Sequence, residues 1–265
     1  MTSERYTHGH HESVLRSHTW RTVENSAAYA AEFFQPGASV LDVGCGPGTI
    51  TVDIAGRVAP GRVVGLDAAA DVIAKASTLG DGIDTVEFVV GDAYALDYAD
   101  NSFDVVHSHQ TLQHLARPVD ALRELRRVVK PGGVVAVRDV DYAGTIIHPR
   151  TEGIAAWETL YQEVHRSNGG EPDAGRRLKQ WALEAGFTEV TATASIWTFS
   201  SDEDRAWWGG MWADRVLQSA FATDAIGKGL ATQQELERIS RAWTEWSADA
   251  NGFMAMPHGE VIARG

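Results

Sequence analysis

Between Val40 and Asp141, short runs of apolar residues alternate with segments whose apolar positions recur every three or four residues. SVLDVG (39–44) is rich in β-branched residues and stops at a glycine, the pattern of a buried strand. TITVDIAGRV (49–58) takes up helical spacing. RVVGLD (62–67) predicts a second strand, DVIAKAST (71–78) a helix, VEFVVGD (86–92) a third strand and FDVVHSH (103–109) a fourth. In PVDALRELRRVV (118–129), proline opens a helix whose apolar face is Val119, Leu122, Leu125, Val128 and Val129. KPGG (130–133) ends it and VVAVRDV (134–140) predicts a fifth strand. Apolar strands alternating with helices predict a parallel sheet covered on both faces.

Past Asp141 the rhythm changes. GRRLKQWALEAGF (175–187) predicts a helix with a glycine stop, and VTATASIWTF (190–199) a strand. Residues 201–250 predict helix in two pieces split near GKG (227–229), and 252–265 a last strand. Eight of the nine tryptophans follow residue 150, so the second half has a different composition from the first. The expected organisation is an N-terminal helical lid over 1–37 and a ligand-binding core over 38–141. The remainder of the core then follows over 142–265, with helical cap insertions near 142–172 and 201–250.

With 265 residues, of which 44% are hydrophobic, the chain suits one large domain or a domain with a smaller appendage. A net charge of −13 argues against nucleic acid and against an anionic membrane surface, because both require a basic face. Cys45 stands alone, which excludes an intrachain disulfide and fits a reducing, cytoplasmic setting. No run is apolar enough for a signal peptide or a membrane span. HGHH (8–11) invites a metal reading, but His8, His10 and His11 do not share a helical face and no cysteine accompanies them. The expectation is no metal, no nucleic-acid partner, no membrane insertion, and a monomer or homodimer.

The chemistry starts at VLDVGCGPGTIT (40–51). In an open parallel sheet, ligands bind at the carboxyl ends of the strands. Gly44, Gly46 and Gly48 would let the backbone approach a ligand, and the following helix N-terminus adds free N–H groups. A dinucleotide loop reads G-x-G-x-x-G; here Thr49 stands where the last glycine belongs, and Asp42 adds a carboxylate suited to a cationic ligand. Asp67 ends the second strand, where a carboxylate can accept from ribose hydroxyls. Asp92 ends the third, placed to accept from an adenine amino group.

VLDVGCGPGT, VVGLDAA, VGDAYAL, SFDVVHSHQTLQHL and LRRVVKPGGVVAVRD together resemble the successive motifs of class I S-adenosylmethionine-dependent methyltransferases, of the ubiquinone-biosynthesis or type 11 sort. The resemblance covers roughly 38–141. It implies a Rossmann-like α/β fold: a seven-stranded, mostly parallel sheet with helices on both faces, the last strand antiparallel. It implies S-adenosyl-L-methionine as cofactor. Asp42 and the Gly44, Cys45, Gly46 and Gly48 loop would hold its methionine part, Asp67 and Ala68 its ribose, and Asp92 and Ala93 its adenine. Ser108 and His109 would lie beside the methionine part. Arg21, or Arg16, would pair with the methionine carboxylate.

Methyl transfer from a sulfonium needs mainly positioning and desolvation. A base is required only for a protonated nucleophile, and His109 and His114 are the candidates. Trp208, Met211 and Trp212 recur at helical spacing, as core or as a pocket wall. They favour a small hydrophobic or aromatic acceptor. A nicotinamide oxidoreductase, or a non-catalytic binding protein of this fold, is the alternative.

Overall fold

The computed structural model describes residues 20–265. HGHH, Arg16 and the first nineteen residues of the expected lid lie outside the described residues. Strands β1 (Ser39–Val43), β2 (Arg62–Asp67), β3 (Val86–Val90), β4 (Phe103–His109) and β5 (Val129–Val140) form the parallel part of one sheet. Helices α2 (Thr49–Val58), α3 (Ala70–Leu79) and α4 (Pro118–Val128) connect them, after a short α1 (Val23–Ser26). The spatial order is β3-β2-β1-β4-β5-β8, with β8 (Phe253–Arg264) antiparallel to β5 and β7 (Glu189–Phe199) antiparallel to β8. The order turns between β1 and β4, which opens a crevice at their carboxyl ends.

The expected Rossmann-like fold is present, with one strand more than expected. A short β6 (Ile146–His148) pairs with the first residues of β8, alongside the edge that β5 occupies further on. Three boundaries also differ. β5 begins at Val129, because the chain pairs with Phe103 and passes through an irregularity before the regular ladder at Val134. The helix expected at 175–187 is a 3-10 turn (Ala174–Arg177) followed by α6 (Leu178–Glu184). The stretch 201–250 makes three helices: α7 (Asp202–Gln218), α8 (Ala220–Gly227) and α9 (Gln233–Ala248). Ser219 causes the extra break. Its backbone is extended, its Oγ donates to the Arg215 carbonyl, and the same oxygen accepts from the Phe221 N–H, capping α8.

Strand alternation sorts the core onto two faces. Val40, Val63, Val105 and Val134 pack under α1 and α2. Leu41, Val64, Val106 and Val135 pack under α4 and α6. A third apolar cluster builds the cap from α5 (Glu152–Ser167), α7, α8 and α9. There Trp157 meets Trp212 edge-on at 4.7 Å and Trp243 at 4.9 Å. Capping boxes at Ser201 and Thr232 start α7 and α9. Met211 and Trp212 are therefore core, whereas Trp208 belongs both to this core and to the wall of the crevice. Among the described residues, no helix is long and apolar enough to cross a membrane.

Trp212 is fully buried at the centre of the cap. Trp212→Ala is expected to lower stability by about 3–5 kcal/mol, read as a shift of the urea midpoint. An unchanged midpoint would mean that the cap folds independently of its tryptophan cluster.

Candidate active site

A cavity of about 400 Å³ lies at the carboxyl ends of β1 to β4 and runs under the cap, a size suited to small molecules. Its floor is the loop from Gly44 to Pro47. Gly44, Gly46 and Gly48 have φ of +73°, +56° and +86°, values that disfavour side-chain-bearing residues. Their role differs in part from the expected one. A Cβ on Gly44 would lie 2.0 Å from Thr111 Oγ1, and one on Gly48 would lie 2.6 Å from the Phe88 ring. Both glycines thus make room for protein atoms, and Gly48 is buried beside Phe88 rather than in the cavity wall.

Asp42 is buried under this loop. Its Oδ2 accepts from Thr51 Oγ1 at 2.6 Å and its Oδ1 lies 2.8 Å from His107 Nδ1. Asp67 reaches across from β2. Its carboxylate accepts from the Gly46 N–H at 3.1 Å and from the Ala69 N–H at 3.0 Å, which aims it into the crevice between the two loops. Asp92 is exposed at the end of β3, where it accepts from the Tyr94 N–H at 2.8 Å. Ala68, Ala93 and Cys45 complete this end of the wall. Burial, with Asp42 and Asp67 nearby, pushes the Cys45 thiol up, so it stays protonated.

Ser108 stands apart from the expected grouping. It is fully buried, donates to the Val43 carbonyl at 2.9 Å and does not line the cavity. Alternation along β4 sends its neighbour His109 into the wall instead. His109 is buried, and neither ring nitrogen meets a hydrogen-bond partner among the described residues. Burial, then Arg21 and Arg138, holds it well below the usual histidine range. His114 also lines the cavity, stacked on His165 at 4.9 Å. Burial, then His165 and Arg21, lowers it well below that range too. For both, burial disfavours the protonated form.

Residues that the sequence did not single out join these. Gln110 sits between His109 and Thr111 with φ +52°, a strained value for a non-glycine residue. Arg21 Nη2 donates to Gln110 Oε1 at 2.6 Å. Gln110 Nε2 then meets His258 Nε2 at 2.8 Å, and His258 Nδ1 meets the Met256 carbonyl at 3.0 Å. Carbonyls only accept, so His258 carries its proton on Nδ1 and the chain of donors runs from Arg21 inward. Trp197 of β7 supports the same corner. Arg21 and Arg138 lie over its ring at 5.6 and 4.9 Å, and its Nε1 donates to the Asn25 carbonyl. The left-handed Gln110 had no signal in the sequence.

A family model described as a methyltransferase domain matches residues 34–193. The chain belongs to the class I S-adenosylmethionine-dependent methyltransferases. The methyltransferase is 35% identical over 270 residues to an uncharacterised methyltransferase of Schizosaccharomyces pombe, covering 97% of this chain and 95% of that one. A 2-phytyl-1,4-naphtoquinone methyltransferase of Thermosynechococcus vestitus is 36% identical over 126 residues, covering 47% of this chain and 53% of that one. The YcgJ protein of Bacillus subtilis shares the fold with a TM-score of 0.59 at 19% identity, covering 91% of this chain and 98% of that one. The cofactor is S-adenosylmethionine. The residues present fit that group. Carboxylates at the ends of β2 and β3 accept from hydroxyl and amino groups, Leu66 and Val72 supply an apolar wall, and the glycine loop offers backbone.

The buried histidines make stability depend on pH. Burial lowers His109, His114 and His258, and takes His165 to about 4. In the unfolded chain each takes up a proton near pH 6.5. The unfolded state therefore binds more protons below that pH, and stability falls as pH falls. Asp139 opposes this: burial pushes its carboxyl up to about 8, so its contribution fades as pH rises toward that value. Four histidines outweigh one carboxyl. The urea midpoint is expected to be lower at pH 5.5 than at pH 7.5, with each group moving stability by about 1.4 kcal/mol per pH unit while it titrates in one state only. A midpoint that rises over this range would contradict the assignment of neutral, buried imidazoles.

Proposed function

We propose that the methyltransferase methylates a small hydrophobic or aromatic metabolite, held between the end of β4 and the helical cap. The observation that carries this is the continuity of one cavity. Its floor is the glycine loop, and its far wall is Tyr142, Trp197, Trp208 and Met256. A relative over about half of the chain, a 2-phytyl-1,4-naphtoquinone methyltransferase, supports an aromatic acceptor.

In this reading Asp67 and Ala68 hold the ribose of the cofactor, and Asp92 and Ala93 hold the adenine. The backbone from Gly44 through Cys45 to Gly46 borders the methionine part. Asp42, with both oxygens already engaged, contributes charge and holds the loop. Arg21 offers its guanidinium to the methionine carboxylate from the N-terminal side. When bound, the cofactor would supply a methyl group carried on a cationic sulfur, an electrophile for a nucleophilic atom of the acceptor. The protein's part is to align the acceptor and exclude water, worth up to about 7–11 kcal/mol when alignment is good. His109, neutral and buried, serves as a hydrogen-bonding group for the acceptor rather than as a strong base.

Calorimetry is expected to show binding of S-adenosylmethionine and S-adenosylhomocysteine and none of NAD. Asp67→Ala removes charged acceptor oxygens worth roughly 1.5–3 kcal/mol, so affinity for S-adenosylhomocysteine is expected to drop about 10- to 100-fold. Unaltered affinity would reduce Asp67 to a loop brace for Gly46 and Ala69. Conversion of naphthoquinol-like acceptors, but not of polar ones such as ethanolamine phosphate, tests the acceptor class. The reverse preference would overturn it.

A further inference from the structure

Gln113 is held on three sides and open on a fourth. It lies in the 3-10 turn Leu112–His114 that follows β4 and is 1% exposed. Its backbone N–H donates to Asp139 Oδ1 at 3.1 Å. Its carbonyl lies 2.8 Å from His165 Nε2 and accepts from the Glu171 N–H at 2.8 Å. Gly170 permits this approach: a Cβ there would sit 2.5 Å from that carbonyl and 2.6 Å from the His165 ring. The side-chain amide nitrogen is committed to His114 Nε2 at 3.0 Å. The amide oxygen meets no hydrogen-bond partner among the described residues, although the residue lines the cavity.

A buried acceptor without a donor costs free energy that a correctly placed ligand donor returns. We propose that Gln113 is a specificity-determining residue of the acceptor site. Its Oε1 accepts a hydrogen bond from the hydroxyl that is to be methylated, whose proton is released to solvent as the O–CH3 bond forms, so the site favours the hydroxylated acceptor over its methyl ether. The inference rests on the cavity being the methyl-transfer site. An oxygen nucleophile is favoured over an amine because the cavity's two arginines, Arg21 over Trp197 and Arg215 over Trp212, stand on the cap side and oppose an ammonium ion there, whereas its carboxylates Asp42, Asp67 and Asp92 lie at the glycine-loop end. The consequence is directional. Replacing O–H by O–CH3 removes the donor, leaves Oε1 unmatched again and weakens the hold on product.

The test uses the full chain with saturating S-adenosylhomocysteine, and 1-naphthol and 1-methoxynaphthalene as probes in calorimetry. Wild-type protein is expected to bind the naphthol about tenfold more tightly than the ether, the effect of one matched hydrogen bond. Gln113→Leu is expected to bring the two within twofold with S-adenosylhomocysteine affinity unchanged. Gln113→Glu, which keeps an acceptor oxygen, is expected to restore most of the preference; a purely structural role for Gln113 would not separate these variants. Equal binding of the two probes by wild type, binding of neither, or a preference that survives Gln113→Leu overturns the proposal. If Gln113→Leu does not fold, the wild-type and Gln113→Glu measurements decide alone. Failure of wild type to bind S-adenosylhomocysteine would sink the reading of the cavity itself, a different result from intact cofactor binding without discrimination.

Discussion

The site depends on one buried carboxylate. Asp42 is the last-but-one residue of β1, is 2% exposed, and would be costly there if it lacked partners. Thr51 from the first turn of α2 and His107 from β4 occupy its two oxygens. Three elements that diverge at the crevice are thereby tied at one point. The left-handed turns at Gly44, Gly46 and Gly48 are then held in the space between them, and Gly46 is aligned to donate to Asp67. Removing one partner of such a group typically costs more than the hydrogen bond itself returns, because the other is left desolvated.

The second organising feature is an arginine pair on one tryptophan. Trp197 receives Arg21 from the N-terminal segment and Arg138 from β5 on its ring. Arg138 is itself paired with Glu260 of β8 at 3.3 Å, and Ser195 of β7 bonds to both. Three adjacent strands and the chain before α1 therefore meet beside His109 and His258. The positive charge gathered there keeps these imidazoles neutral, once burial has already disfavoured their protonated forms.

Among the described residues, buried polar atoms without a hydrogen-bond partner include both nitrogens of His109, Oε1 of Gln113 and Oδ2 of Asp139 where β4 and β5 end, and the indole nitrogens of Trp157, Trp208 and Trp243 in the cap. Most buried polar groups in folded proteins are matched; of these residues, His109, Gln113 and Trp208 line the cavity, where a ligand can reach them. The cap is held mainly by apolar contact. Its tryptophans bury themselves against one another, and Trp208 lends the remaining face to the cavity.

The periodicities of 39–140 were enough to place the parallel strands and their helices, because a strand buried on both faces is a continuous apolar run and an amphipathic helix repeats every 3.6 residues. Three glycines ending such a strand, followed by Asp67 and Asp92 at the ends of the next two, likewise pointed to one end of the cavity. Those features are local: backbone freedom and position at a strand end are written in a few adjacent residues. The far wall of the cavity is assembled from Arg21, Gln110, Gln113, Tyr142, Trp197, Trp208 and Met256, which lie far apart in the chain. Whether Trp212 is core and Trp208 wall, whether Ser108 or His109 faces the cavity, and which way a histidine's proton affinity shifts depend on burial and on neighbouring charge. The linear sequence holds the residues that create that burial and charge, but only the tertiary packing brings them within reach of one another.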